Sequence, residues 1–156
     1  MDLNIVLIEP EIPQNTGAIG RLCVCLGARL HLIKPLGFSL DVTSLKRAGL
    51  DYWQFLTYYT YNNWNDFCEV TKPSCLIFLS TKGARPYYEF QFHHGDYLVF
   101  GNETRGLPDS FYQIYQKDLF VIPMPGKHSR SLNLASAAAI VSYEAYRQIY
   151  HCPHKF

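Results

Sequence analysis

Short apolar runs alternate with helical patterns along most of the chain. Residues 3–8 form an apolar run of strand length, and residues 29–33 form a second such run in which apolar and polar positions alternate. Between them, the apolar positions of residues 19–26 recur at helical spacing. Gly27 is placed to end this helix, and Asn15–Thr16 is placed to cap its start. A strand, a helix and a strand within about thirty residues predict a βαβ unit, with two parallel strands and a right-handed crossover.

Further strands and helices follow in the same alternation. Three runs are apolar at nearly every position, as expected of strands buried on both faces, at residues 75–79, 97–100 and 119–122. Helical patterns lie around them, at residues 65–70, 108–115 and 133–150. Residues 34–54 are predicted to be a connection with one short helical stretch. The chain is therefore predicted to be a single α/β domain over residues 1–156, a parallel sheet flanked by helices.

Polar loops follow three of the predicted strands. Residues 80–83, 101–106 and 123–131 are rich in glycine, proline, hydroxyl and charged side chains. Ligands of open parallel sheets bind beyond the carboxyl ends of the strands, so these loops predict a ligand site. Turns of α/β proteins also use glycine and proline, which is the alternative explanation. We expect a branched side chain at Gly101 to block the ligand and to leave the fold largely intact.

Composition narrows the function classes. Hydrophobic residues make up 48% of the chain and charged residues 17%, which excludes a disordered protein. Fourteen Lys and Arg against thirteen Asp and Glu give a net charge of +1. Attachment to nucleic acid by overall charge is thereby excluded, and a polyanion site must be a local patch. Five cysteines without a CxxC pair favour buried, reduced thiols.

The sequence shows no motif for a membrane segment, a metal site or the commonest nucleotide-binding and hydrolase folds. No apolar window approaches the length of a membrane span and no basic leader is present, so we expect a cytoplasmic protein without a membrane segment. No metal site is expected, because the His and Cys of residues 151–154 have no partner cluster. A GxGxxG fingerprint, a GxSxG elbow and an HExxH motif are also missing, which argues against the commonest nucleotide-binding and hydrolase classes.

Three segments carry a specific resemblance. Residues Asn15–Arg21, Phe100–Pro108 and Ile122–Ala135 resemble, in order and spacing, the three motifs of the SPOUT RNA 2′-O-methyltransferases. The similarity is greatest to the small single-domain branch that methylates the wobble ribose of tRNA. It extends through residues 9–15 and 47–52, and so covers nearly the whole chain.

The resemblance implies a fold, a reaction and partners. The fold would be a parallel sheet flanked by helices with a deep C-terminal trefoil knot, and the protein would be a homodimer. It would transfer a methyl group from S-adenosylmethionine to the 2′-hydroxyl of nucleotide 34, cytidine or modified uridine, in the anticodon stem-loop of tRNA, with leucine isoacceptors as the expected substrates. The alternatives are a ribosomal RNA 2′-O-methyltransferase and a non-catalytic RNA-binding factor that keeps the fold.

The resemblance also implies site residues. The cofactor would be held at Leu79, Gly101, Ile122 and Ser131, and catalysis would involve Asn15, Arg21, Glu103 and Asn133. Arg21 matches the arginine that this class is thought to use in activating the ribose hydroxyl. A guanidinium has a pKa above about 12, so whether Arg21 acts as a base or only positions the ribose stays open. Glu103 would anchor either Arg21 or a loop amide, and Asn133 would also suit a helix N-cap.

Candidate RNA contacts and a dimer surface complete the expectations. Phosphate contacts are expected from cations and base stacking from aromatic rings, at Lys46, Arg47, Tyr52, Arg105, Lys127, Arg130 and Tyr143. The last predicted helix carries small residues on one side, which would let the helix of a second copy approach closely: Ala135, Ala138, Ala139, Ser142 and Ala145. Packing of this side on the chain's own sheet is the alternative.

Overall fold

The computed structural model describes residues 2–41 and 51–150. These ranges contain seven strands, β1 Asn4–Ile8, β2 Arg29–Ile33, β3 Tyr58–Tyr61, β4 Leu76–Leu79, β5 Arg85–Pro86, β6 Tyr97–Phe100 and β7 Leu119–Val121. Four α-helices are described in the same ranges, α1 Pro13–Leu26, α2 Trp64–Thr71, α3 Phe111–Ile114 and α4 Leu134–Tyr150. Short 3₁₀ turns occupy Asp51–Phe55, Tyr87–Glu89 and Gln116–Asp118.

The strands form one sheet in the order β3-β2-β1-β6-β4-β7-β5. Every strand pair is parallel, so the predicted parallel sheet with flanking helices is confirmed. Strand β6 lies between β1 and β4, with Phe100 opposite both Leu7 and Leu79. The carboxyl ends of β1, β6, β4 and β7 therefore lie side by side at one edge of the sheet.

Side chains of the central strands alternate between two apolar layers. Ile5 and Leu7 of β1 pack on the side of α1 and α4, whereas Val6 and Ile8 pack on the side of α2 and α3. Burial on both faces explains why these strands are apolar at nearly every position. Phe67 of α2 is fully buried in the second layer.

The structure corrects several expectations. Strands β3 and β5 were not predicted, and α3 is shorter than the predicted helix of residues 108–115. The predicted cap at Asn15–Thr16 is wrong, because α1 begins at Pro13 after an extended Ile12. Proline suits the first turn of a helix, since its missing N–H has no partner there anyway.

The small residues of α4 are used within the chain itself. Ala138, Ser142 and Ala145 are fully buried where α4 packs on α1 and the sheet. The small-residue side of this helix is therefore explained by the chain's own fold. The trefoil knot and the single-domain boundary at residues 1–156 stay predictions.

His31 of β2 is buried in a neutral form. Its Nδ1 atom lies 2.8 Å from the Tyr61 hydroxyl and its Nε2 atom 3.0 Å from Oδ1 of Asn4. The Asn4 oxygen can only accept, so Nε2 carries the proton and Nδ1 accepts from Tyr61. Burial, with a smaller contribution from the nearby charge of Arg29, lowers the pKa of His31 to about 4.

We expect the free energy of unfolding to fall as the pH drops from about 6.5 towards 4. Over that range the unfolded chain binds a proton at His31 that the folded chain excludes, which costs about 3 kcal/mol at pH 4. Urea unfolding at pH 7, 5.5 and 4.5 measures the slope. The His31→Gln variant should lose this part of the pH dependence, whereas a variant of the exposed His93, His93→Gln, should keep it. An unchanged slope in His31→Gln would contradict the assignment.

Candidate active site

A cleft of about 470 Å³ lies at the carboxyl ends of β4, β6 and β7. Its walls come from residues 79–82, 100–107, 121–124 and 131–134, together with the start of α1. The volume lies within the range of about 300–1,000 Å³ that is common for small-molecule sites. A cavity therefore lies at the edge of the sheet where the polar loops predict a ligand site.

The four residues predicted to hold the cofactor all line this cleft. Leu79 is buried at the end of β4, and Ile122 directly follows β7. Gly101 follows β6, and Ser131 is exposed in the loop before α4. Strand ends bring main-chain N–H and C=O groups to the cavity, which suits a ligand whose edge carries both donors and acceptors.

Gly101 is required by the loop that follows it. A Cβ built on Gly101 would lie 2.2 Å from the carbonyl carbon of Gly106 and 2.4 Å from the nitrogen of Leu107. The loop turns back there because Asn102 and Gly106 exchange two backbone hydrogen bonds of 2.9 Å, with φ of +72° at Gly106. A side chain at Gly101 would displace backbone, so the expectation that such a variant leaves the fold largely intact is revised.

Glu103 joins the second motif to the start of α1. Its carboxylate accepts hydrogen bonds from the backbone N–H of Glu11 at 2.8 Å and of Ile12 at 3.1 Å. The amide nitrogen of Asn15 donates to the same carboxylate at 3.4 Å. Of the two roles left open for Glu103, the structure shows the anchoring of loop amides.

Asn133 brings in the third motif. Its amide nitrogen donates to the side-chain oxygen of Asn15 at 2.8 Å. Its own oxygen accepts from the backbone N–H of Ala135 at 2.9 Å, as an N-cap of α4 should. Glu103, Asn15 and Asn133 thus form one hydrogen-bonded chain, which we call the motif network. It connects three segments that are remote in sequence at one wall of the cleft.

Arg105 lines the cleft, but carboxylates surround its guanidinium. One nitrogen lies 3.1 Å from a carboxylate oxygen of Glu9 and 3.6 Å from one of Glu11. Its charge is therefore compensated within the chain, which weakens its case as a phosphate contact.

Arg21 and Tyr52 form a separate pair on the exposed side of α1. The Arg21 guanidinium lies over the Tyr52 ring, 5.0 Å from its centroid, and the Tyr52 hydroxyl donates to the carbonyl of Gly17. Burial raises the pKa of Tyr52, and the charge of Arg21 acts in the opposite direction. Neither residue lines the cleft. One face of the Tyr52 ring is thus covered by Arg21 and is unavailable to a base.

The remaining candidate RNA contacts lie away from the cleft walls. Lys127 and Arg130 are exposed in the loop before α4, and Tyr143 is 51% exposed on α4. Lys46 and Arg47 lie outside the described residues.

Three residues with chemically useful side chains line the cleft without having been singled out from the sequence, namely Ser80, Lys82 and Tyr112. Ser80 and Lys82 belong to the loop of residues 80–83, which the sequence assigns to the ligand site without a role for either side chain. No sequence signal marked Tyr112, because it lies on a short helix and reaches the cleft only through the fold.

The cysteines of the described residues differ in burial. Burial raises the pKa of the Cys23 thiol to about 12, whereas Cys25 is exposed, contrary to the prediction of buried cysteines. No group of three or more His, Cys, Asp or Glu side chains in the described ranges is arranged to hold a metal ion. Among residues 2–41 and 51–150, no helix combines the length and apolar character needed to cross a membrane.

The parallel sheet, the cleft at its carboxyl edge and the motif network agree with comparisons to known proteins. Residues 2–143 match the model of the SpoU rRNA methylase family, and the chain belongs to this family. The resemblance found in the sequence is thereby confirmed at the level of the family.

Individual relatives are similar over nearly the full chain. A protein of Saccharophagus degradans named tRNA (cytidine(34)-2′-O)-methyltransferase is 51% identical over 147 residues, covering 94% of this chain and 95% of that protein. A solved structure described as giving insights into the 2′-OH methylation of C/U34 on tRNA is 46% identical, with a TM-score of 0.84 and coverage of 94% and 95%.

A more distant structure was solved with the cofactor. The methyltransferase AviRb of Streptomyces viridochromogenes, in complex with S-adenosylmethionine, is 26% identical with a TM-score of 0.79. The match covers 94% of this chain and 58% of AviRb.

Proposed function

We propose that this protein transfers a methyl group from S-adenosylmethionine to the ribose 2′-hydroxyl of nucleotide 34, cytidine or modified uridine, in tRNA. The relatives that cover nearly the whole chain carry this activity in their names. The observation that carries the proposal is the motif network, because it unites all three motif segments at one wall of a cleft of suitable volume.

The cleft fits S-adenosylmethionine, which supplies the methyl group when bound. We propose that the main chain at Leu79, Gly101 and Ile122 binds the cofactor, together with the region of Ser131. Apolar side chains of Leu79 and Ile122 provide a surface for the adenine ring, and the adjacent backbone groups read its edge.

Positioning of the ribose is assigned to Asn15, Arg21 and Asn133. Glu103 is the carboxylate among the described cleft residues, and its oxygens already accept three hydrogen bonds. We therefore give Glu103 a positioning role and not that of a general base. Arg21 would orient the hydroxyl and its phosphate with its planar guanidinium, so the rate would rest mainly on placing the reacting atoms in line.

The anticodon stem-loop would lie on exposed cations outside the cleft. Lys127 and Arg130 flank the cleft loop and are exposed. Tyr143 is not assigned to RNA here, because its exposed ring lies on the side of α4 to which a second copy of the chain would bind. Lys46 and Arg47, which lie outside the described residues, stay candidate phosphate contacts on the sequence alone. Leucine isoacceptors as substrates and a cytoplasmic location belong to the same proposal.

A homodimer would bring two such surfaces together. The exposed side of α4 carries large apolar and aromatic residues, namely Ile140, Tyr143, Tyr146 and Tyr150. An exposed patch of this kind is typical of an interaction surface. We propose that two copies meet there and that Arg21, which lies outside its own cleft, serves the cleft of the second copy. Sedimentation should give twice the chain mass of 18.0 kDa at micromolar concentration, and a monomer would refute the dimer.

Nucleoside mass spectrometry of RNA from cells with and without the protein tests the reaction. We expect 2′-O-methylated nucleoside at position 34 of tRNA to be lost without the protein and restored by the purified enzyme. The description of the family model names ribosomal RNA, so a loss confined to ribosomal RNA would favour that second candidate. An unchanged pattern in both RNAs would favour a non-catalytic RNA-binding factor.

A further inference from the structure

The loop after β4 is held rigidly against β7. The backbone N–H of Ser80 donates to the carbonyl of Phe120 at 2.9 Å, and the N–H of Gly83 returns to the carbonyl of Ser80 at 3.1 Å. A Cβ on Gly83 would lie 2.4 Å from the backbone of Phe120, so loop and strand are in close contact. The backbone N–H of Lys82 donates to the Ser80 hydroxyl at 3.1 Å. The backbone of Lys82 is thereby fixed at the mouth of the cleft.

The ammonium group of Lys82 is seated on an aromatic ring. Its Nζ atom lies 4.6 Å from the centroid of the Tyr112 ring, which is within the range of a cation–π contact. The Tyr112 hydroxyl in turn lies 3.2 Å from the Ser80 hydroxyl. All three residues line the cleft, and a ring contact leaves the N–H donors of the ammonium free for a ligand.

Charge balance in the cleft singles out this lysine. Among the described residues of the cleft wall, the charged side chains are those of Lys82, Glu103 and Arg105. The Glu103 carboxylate accepts hydrogen bonds from two backbone amides and from Asn15, and Arg105 is ion-paired with two carboxylates. Within residues 2–41 and 51–150, no carboxylate lies within ion-pair distance of Lys82. A fixed cation without an acidic partner is suited to bind an anionic ligand group.

We infer that Lys82, with Tyr112 and Ser80, forms an oxyanion-binding site at the mouth of the cleft. The oxyanion is either the carboxylate of the methionine part of S-adenosylmethionine or a phosphate of the RNA. Lys82 lies three residues after Leu79, so a ligand bound at the strand end would place a carboxylate within reach of it. The part of the inference that concerns the cofactor is independent of the proposed RNA substrate.

Calorimetry with two nucleosides tests the carboxylate. S-adenosylhomocysteine carries the amino-acid group, whereas 5′-methylthioadenosine lacks it. If the oxyanion is the carboxylate, Lys82→Met should raise the Kd for S-adenosylhomocysteine about tenfold, as the loss of one charge-assisted hydrogen bond predicts. The Kd for 5′-methylthioadenosine should stay unchanged. Lys117→Met is the matched control, because Lys117 is exposed and lies outside the cleft wall.

An RNA stem-loop titration at several salt concentrations tests the phosphate. If the oxyanion is a phosphate, Lys82→Met should raise the Kd for the RNA about tenfold and lower the slope of log K against log salt concentration by about one. The affinities for both nucleosides should then stay unchanged. In either case Tyr112→Phe, which keeps the ring, should bind the affected ligand with normal affinity. Tyr112→Leu, which lacks the ring, should lose affinity for the same ligand as Lys82→Met does. If Lys82→Met changes the affinity for none of the three ligands, the inference is wrong.

Discussion

Replacing Arg21 with alanine should lower the rate of methyl transfer to a tRNA transcript about a thousandfold, with the affinity for S-adenosylmethionine unchanged. Arg21 lies outside the cleft of its own copy and is proposed to position the ribose in the cleft of the second copy, so its loss should not disturb cofactor binding. A thousandfold loss corresponds to about 4 kcal/mol of transition-state stabilisation, which one well-placed charged group can supply. Steady-state methylation, with separate measurements of cofactor and tRNA binding, gives the answer.

Two further variants sharpen this test. Arg21→Lys should also be poor, because an ammonium lacks the planar fork that binds phosphate and hydroxyl together and stacks on Tyr52. Arg29→Ala removes another exposed arginine, ion-paired with Asp2 at the far end of the sheet from the cleft, and should keep normal turnover. Near-normal turnover of Arg21→Ala would show that Arg21 is only an exposed helix residue.

Gly101→Ala should abolish measurable binding of S-adenosylmethionine, a loss of more than about a hundredfold, and lower the free energy of unfolding by about 3 kcal/mol. The added Cβ would overlap the backbone of Gly106 and Leu107, which has no flexible side chain to move aside. To remove this overlap, the loop of residues 101–107 must shift, and this loop forms one wall of the cleft. Calorimetry and urea unfolding measure the two effects.

Gly126→Ala provides the matched control for this variant. A Cβ on Gly126 meets its nearest atoms at 3.9 and 4.0 Å, which is ordinary contact. This variant should therefore fold and bind the cofactor normally. If Gly101→Ala matched it in both stability and affinity, the described course of the loop at residues 101–107 would be wrong.

The sequence predicts the buried part of this fold well and its edges poorly. Five strands were found because burial makes them largely apolar, with Asn4 of β1 and His31 of β2 as buried polar exceptions. Strand β3 was missed because it lies at the sheet edge, where Tyr59 and Thr60 are exposed and the apolar pattern is lost. Strand β5 consists of Arg85 and Pro86 at the other edge, too short to leave a pattern.

The location of the cleft was predictable, but the pairing inside it was not. Strand ends of a parallel sheet meet at one edge, so polar loops after them converge. Arg105 was assigned to phosphate because its sequence neighbours do not reveal the carboxylates of Glu9 and Glu11, which only the fold brings near. Asn15 was interpreted as a helix cap for the same reason, since its partners Glu103 and Asn133 are remote in sequence.

The span of the motif network has a consequence for synthesis on the ribosome. Asn133, the partner of Asn15, is made 118 residues later in the chain. At about 5–20 residues per second, the growing chain therefore carries an incomplete network for roughly ten seconds. Strand β6, which lies between β1 and β4 in the sheet, is also synthesised after both of them. A nascent chain thus has no complete cleft, and we expect only polypeptides translated beyond Asn133 to compete for the cell's S-adenosylmethionine.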